Sequence, residues 1–334
     1  MSSPVAAAAL EAEEPPAGYQ RMVVYVDRAR SRRPAAGAGA VHYRTHADAC
    51  AMSHQNQIAG YRILARIGNG AASELYAVQD RKTKQVWALK HVIKQVEKDQ
   101  RFLDQVKQEF LVGSKLKHAN IRAIQRLIKH RKMFKVVGVT LLMELVDGTT
   151  LDQNRPPTHA HAVRLFHQVA LGLAHMHAHG YVHADIKPSN ILVTDRDEVK
   201  IIDLGQGCRT GTVKKRIQGT PGYMAPEQAH RQAITPKTDI YNLGATMYWV
   251  LVREVIPTAL PPKDEVDSLF TGALDADMVK PPTPPNEKDP AIHPILSKQI
   301  LDCVQLHPDD RPESMAVVAN RLELVAELLE TPPK

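Results

Sequence analysis

A carboxylate, an ammonium and an amide stand within six residues at Asp185, Lys187 and Asn190, in the run His183-Ala184-Asp185-Ile186-Lys187-Pro188-Ser189-Asn190. Thirteen residues after Asn190, Asp203-Leu204-Gly205 closes another short apolar run. Asn190 and Asp203 together offer hard oxygen ligands of the kind that suit Mg2+. Nearer the N-terminus, Gly68-Asn69-Gly70 can lay backbone N–H groups over phosphates. Two glycines in a hairpin more often just make a turn, so they carry little alone. Farther on stands Gly219-Thr220-Pro221-Gly222-Tyr223-Met224-Ala225-Pro226-Glu227.

These groups need elements to hold them. Tyr61, Ile63, Ala65 and Ile67 alternate as on a half-buried strand, and Leu75, Ala77 and Val78 resume it after the glycines. Val86 to Val92 reads as another strand, and Val136 to Val146 is apolar with a strand-like bias. Phe102, Leu103, Val106 and Phe110 follow helical spacing, as do Val163, Phe166, Val169, Ala170 and Leu173. Prolines crowd 256–294, which predicts loop, and 313–330 reads as a last helix. Strands first and helices afterward predict an α+β chain with a small sheet lobe and a larger helical lobe.

The chain has 334 residues, 43% hydrophobic and 24% charged, which excludes a disordered protein, a fibre or a coiled-coil rod. Cys50, Cys208 and Cys303 are too few for a disulfide scaffold and have no metal-ligand spacing. No apolar run approaches the roughly 18 residues of a membrane helix, and the N-terminal residues show no apolar core of secretory type. The expected location is cytoplasmic. The net charge of +7 is spread along the chain, which predicts a solvated surface rather than a nucleic-acid site. Residues 1–51 hold fourteen alanines, one leucine and no isoleucine or phenylalanine, too little apolar surface to fold. They are expected to be disordered, and Met52 is a candidate for the true start.

The ordered motifs resemble those of eukaryotic-type (Hanks-type) serine/threonine protein kinases, from about Tyr61 to about Leu329. The resemblance implies a bilobal kinase domain over 60–329, with an N-lobe at 60–143, a hinge at 144–148 and a C-lobe at 149–329. In that family Asp185 is the catalytic base for the substrate hydroxyl, and Lys187 neutralises the moving phosphoryl group. Asn190 and Asp203 hold Mg2+, with Mn2+ as a substitute. Lys90 grips the ATP phosphates and pairs with Glu109, placed nine residues before the His of His118-Ala119-Asn120-Ile121. Gly68 and Gly70 become a phosphate lid flanked by Ile67 and Asn69. Leu75, Ala88 and Leu192 sandwich adenine, and Met143 is the gatekeeper. The backbones of Glu144 and Val146 bond the base, and Thr150 completes the nucleotide set. Asp239, Glu227 and Arg311 are structural. The Lys two residues after the catalytic Asp and Thr220 before Pro221 mark the serine/threonine class, with Thr220 expected to meet Lys187 and Asp185. The wording of the motifs resembles bacterial kinases. Implied partners are ATP, proteins bearing Ser or Thr, and a transient second copy for autophosphorylation. The input is expected to come through a partner, a metabolite or autophosphorylation.

Four departures stand out. Ala184 replaces the Arg that clamps an activation-loop phosphate, so obligatory loop phosphorylation is not expected. Thr210 and Thr212, beside Lys214, Lys215 and Arg216, remain candidates for autophosphorylation. Ser73 replaces the third lid glycine, and Leu204 the usual Phe. Gly113 falls where a bulky residue completes the spine between the lobes; Leu111, Val112 and Leu116 are the candidates to compensate. His175, His177, His179 and His183 are read as scaffold rather than metal ligands, and Arg126 to Lys135 as a solvated basic hairpin, the alternative being a docking patch for acidic partners. Cys208 is placed where it could be exposed. The rival readings are a pseudokinase on the same fold, against which Lys90, Glu109, Asp185, Asn190 and Asp203 all stand, and a nucleic-acid binder.

Overall fold

The computed structural model describes residues 57–70, 72–258 and 281–330. The N-terminal segment 1–51, the candidate start Met52 and Cys50 lie outside them. The first lobe is a six-stranded antiparallel sheet. Its strands are β1 (Gln57–Ile58), β2 (Tyr61–Asn69), β3 (Ser73–Gln79), β4 (Val86–Ile93), β5 (Ile124–Lys132) and β6 (Lys135–Met143), in the order β1-β2-β3-β4-β6-β5. Central β4 has a neighbour on each side, which buries Ala88, Leu89 and Val92 and explains its nearly unbroken apolar run. Strand β6 stops at Met143, three residues short of the expected end at Val146, because Glu144 turns its N–H onto Ala123 O at 2.9 Å. Helix α1 (Gln100–Gly113) lies against this sheet and buries Leu103, Val106, Glu109 and Val112. That stripe holds a carboxylate among apolar residues.

The second lobe opens with β7 (Gly148–Thr150) and α2 (His159–Ala178), followed by β8 (Tyr181–Val182), β9 (Ile191–Thr194) and β10 (Val199–Ile201). Thr158 caps α2 by accepting from the His161 N–H. The strands β10, β9 and β7 form a small sheet in that order, antiparallel throughout. Next come β11 (Cys208–Arg209), β12 (Thr212–Val213), α3 (Pro226–Ala229), β13 (Ala233–Ile234) and α4 (Pro236–Val252). Helix α4 is buried almost all round, so it is the axis of this lobe. It is followed by α5 (Pro285–Lys288), α6 (Pro294–Cys303) and α7 (Met315–Glu330). Among its described residues the expected loop contains one helical turn, α5, where Pro285 supplies a preset N1 residue. One core cluster joins α2, α4, α6 and α7 through Phe166, Leu173, Leu243, Ile300 and Leu322.

Candidate active site

Strand β4 carries Lys90 and α1 carries Glu109, and the two meet at 2.8 Å between Nζ and Oε2. Glu109 is wholly buried, so its charge needs partners. Arg122, just after Ile121, supplies a second one at 3.4 Å on Oε1. Asp203 Oδ1 completes the group, 3.7 Å from Lys90 Nζ. Two cations therefore balance two carboxylates. Burial pulls the Lys90 ammonium down, but Glu109 and Asp203 outweigh it and hold its pKa above the ordinary value. Burial pushes Asp203 up, and Lys90, His183 and Arg122 more than reverse this, holding it below the usual range. Both stay charged near neutrality.

Asp203 has a positive φ of 59° and opens a single tight turn, Leu204–Gln206. Its Oδ1 is buried and accepts no hydrogen bond. Gly205 is required here: a Cβ would lie 2.5 Å from Gln105 Cγ and 3.2 Å from Asp203 Oδ1. Gln108 of α1 donates to Gly207 O at 2.7 Å, so α1 grips this turn at two points.

The stretch after β8 holds the second half of the site. Asp185 Oδ1 accepts from Thr220 Oγ1 at 2.8 Å, and Thr220 Oγ1 accepts from Lys187 Nζ at 2.8 Å. Lys187 Nζ also lies 3.4 Å from Asp185 Oδ2. Asn190 donates its amide to Asp185 O at 2.8 Å, which leaves the amide oxygen free to face a cation. The backbone here is held from beneath by Asp239, wholly buried on α4. Its carboxylate accepts from the N–H groups of His183 at 2.9 Å and Ala184 at 2.8 Å, and lies 2.8 Å from His177 Nε2. Ala184 has a φ of 61°, a strained choice for a residue with a Cβ, and these bonds hold it there. His183 Nδ1 accepts from Asp185 N, so its Nε2 donates to Ile202 O and links the two halves.

The residues expected to face a nucleotide come from both lobes. Ile67 and Leu75 pack on the cluster of Ala88, Val92 and Met143, and β4–β6 pairing sets Ala88 opposite Met143. Leu192 arrives from β9, paired with Thr150 of β7. The Glu144 N–H is spent on Ala123 O and its carboxylate bonds Ala123 N and Lys200, which leaves its carbonyl to offer a base. Between the two glycines is Asn69, the last residue of β2. Gly68 pairs with Leu75, and Gly70 N donates to Ser73 O at 2.7 Å. A Cβ on Gly70 would meet Ser73 Oγ at 2.6 Å, so Ser73 uses the space that Gly70 leaves.

Sequence reading overlooked Arg122, Gln105, Gln108 and Ile124. The answer to Gly113 is Ile124 of β5: a Cβ on Gly113 would run into Ile124 Cγ1 and lie 3.1 Å from Leu204 Cδ1. Of the candidate compensators, Leu111 is 52% exposed and points away, while Val112 and Leu116 join the cluster that holds Leu204. Cys208 was expected in an exposed place. It is instead 5% exposed, packed with Val182, Ala184 and Ile234, and burial raises its thiol pKa. These four side chains form one buried plug. The segment after it is held by β11 on β8, β12 on β13, and Lys214 Nζ on Gln206 O at 2.6 Å. Glu227 and Arg311 form a buried two-pronged pair at 2.8 and 2.9 Å. Of the histidine cluster, His177 Nε2 lies 2.8 Å from Asp239 Oδ2 and His179 Nδ1 lies 2.8 Å from His175 O.

The family model for the protein kinase domain matches residues 61–322. The chain is 28% identical to a probable serine/threonine-protein kinase of Clostridium acetobutylicum over 79% of its own length and 40% of that protein. It is 30% identical to the serine/threonine-protein kinase PrkC of Bacillus subtilis over 58% of its length and 31% of PrkC. It is 29% identical to the serine/threonine-protein kinase PknL of Mycobacterium tuberculosis over 81% of its length and 67% of PknL. It therefore spans half or less of several relatives it matches. With the ion pair, the catalytic-loop network and the family match in agreement, the chain belongs to the protein kinase family, and the proteins it resembles here are bacterial serine/threonine kinases.

Proposed function

We propose that the chain is a serine/threonine protein kinase that transfers the γ-phosphoryl group of ATP to a protein hydroxyl. The observation that carries this is the Asp185–Thr220–Lys187 network standing beside the Lys90–Glu109–Asp203 charges. In the proposed reaction Asp185 orients the substrate hydroxyl and takes its proton as the new P–O bond forms and the bond to ADP breaks. Lys187 offsets charge on the moving group, and Lys90, fixed by Glu109, holds the α- and β-phosphates. The carbonyl of Glu144 and the backbone of Val146 take the adenine, with Leu75, Ala88, Leu192 and Met143 around it. The buried Asp203 Oδ1, which accepts no hydrogen bond, and the free amide oxygen of Asn190 fit a hard divalent cation. Mg2+ held there neutralises phosphate charge when bound. ATP, target proteins and, for autophosphorylation, a second copy are the partners of this reading.

The test is purified chain with Mg-ATP and a generic basic protein, beside Asp185→Asn, with phosphates located by mass spectrometry. Phosphoserine or phosphothreonine made by the wild type and lost in the variant is the expected result. No phosphate in either sample, with ATP still bound, overturns the reading in favour of a binding module.

A further inference from the structure

The hairpin of β5 and β6 ends in Met133-Phe134, between the paired Lys132 and Lys135. This tip breaks two rules. Tight hairpin turns favour Asn-Gly or Asp-Gly because those residues accept positive φ. Here Met133 holds a φ of 54° despite its Cβ. Tips also favour polar residues, yet Met133 is 86% and Phe134 91% exposed. An unfavourable backbone and two bare apolar side chains at one point suggest selection for contact.

The surroundings name the chemistry. From residue 110 to residue 143 the chain has no Asp or Glu, while Lys129, Arg131, Lys132 and Lys135 flank the tip on its two strands. All four are exposed, and none lies within ion-pair distance of a carboxylate among the described residues. The nearby acidic residues are occupied: Glu97 pairs with Lys94 at 2.8 Å, and Asp99 accepts from the N–H groups of Gln95 and Val96. Strand β5 is the outer strand of its sheet, so the hairpin stands free on one side. Basic residues on an edge strand also discourage edge pairing, but that role does not call for Met-Phe at the tip. Ile93 and Val96, both exposed, lie at the same end of the sheet, where Lys94 N donates to Val137 O.

We infer that this hairpin docks the protein on an anionic lipid surface, with Met133 and Phe134 entering the headgroup boundary and the basic residues meeting the phosphates. A two-residue apolar tip is far below the roughly 1,000 Å² of a specific protein interface, whereas a lipid surface demands no matching shape. No helix among the described residues is long and apolar enough to cross a membrane, so this contact is peripheral.

The full chain is sedimented with phosphatidylcholine vesicles and with mixed phosphatidylcholine–phosphatidylserine vesicles. Binding to the mixed vesicles alone is expected, weakening about fivefold for each flanking Lys or Arg changed to Gln and further with added salt. Met133→Asn with Phe134→Gly writes a standard turn, so it keeps the fold, checked by circular dichroism, and loses vesicle binding. It is expected to leave phosphorylation of a soluble protein unchanged. Phe134→Trp reports insertion by a blue-shifted emission on the mixed vesicles. Equal binding to both vesicles, binding unaffected by the turn variant, or no binding at all overturns the inference; the last points to an acidic protein as the ligand instead.

Discussion

Glu109 shows how one buried charge organises the site. It is wholly buried, so Lys90 and Arg122 take its two oxygens. Removing Arg122 leaves Oε1 unsatisfied while Lys90 stays in place. Arg122→Met is expected to lower stability by roughly 1–3 kcal/mol in urea unfolding. It should also lower kcat/KM for ATP about tenfold, the equivalent of 1.4 kcal/mol. A variant as stable and active as the wild type would show that Lys90 alone satisfies the carboxylate. The thiols make a second residue-scale prediction. Burial raises both pKa values, that of Cys303 to about 12, and the thiolate is the reactive form. At pH 8 neither should be alkylated quickly in the native protein, and both should react after unfolding, as read by peptide mass spectrometry. Fast labelling of native Cys208 would mean that its plug opens.

At the scale of elements, α1 is fixed to the turn after Asp203 by Gln105, Gln108 and the packing at Gly113. Gly113 is the last residue of α1, and Ile124 fills the volume a side chain there would use. Gly113→Leu is expected to abolish phosphoryl transfer and lower stability by roughly 1–3 kcal/mol through overpacking. Adding Ile124→Ala returns the volume and should restore a large part of both. Failure of the double variant would show that the order of residues, and not the volume, matters. The activation segment is held by a different means. Two short strand pairs and the plug of Val182, Ala184, Cys208 and Ile234 hold it in place.

Across the whole molecule, two layers of buried polar contacts tie the segments to α4. Asp239 holds the catalytic loop, and the Glu227–Arg311 pair joins α3 to the link between α6 and α7. Thr238 adds a third bond to Glu227 at 2.9 Å. Arg311 also donates to Gln305 O, Leu306 O and Lys237 O, so every prong is used. Breaking such a pair leaves a buried carboxylate uncompensated, at about 3–5 kcal/mol. Arg311→Ala should lower Tm by about 10 °C in a thermal melt, at roughly 2–4 °C per kcal/mol. A shift of a degree or two would mean that water reaches Glu227.

The local sequence by itself determined the family resemblance and most of the elements. Asp185, Lys187, Asn190 and Asp203 are legible because short loops fix them by spacing, and β2 to β4, α1, α2 and α7 because their apolar period follows directly from one buried face. Pairing across long separations was decided only by the tertiary structure. Ile124 answering Gly113, Arg122 sharing Glu109 and Cys208 packing with Ala184 each join residues from different elements, and no local pattern encodes such a contact. The same limit explains the basic hairpin: its charge is plain in the sequence, but a turn that holds Met133 at positive φ and leaves Phe134 bare exists only once β5 and β6 pair in their register.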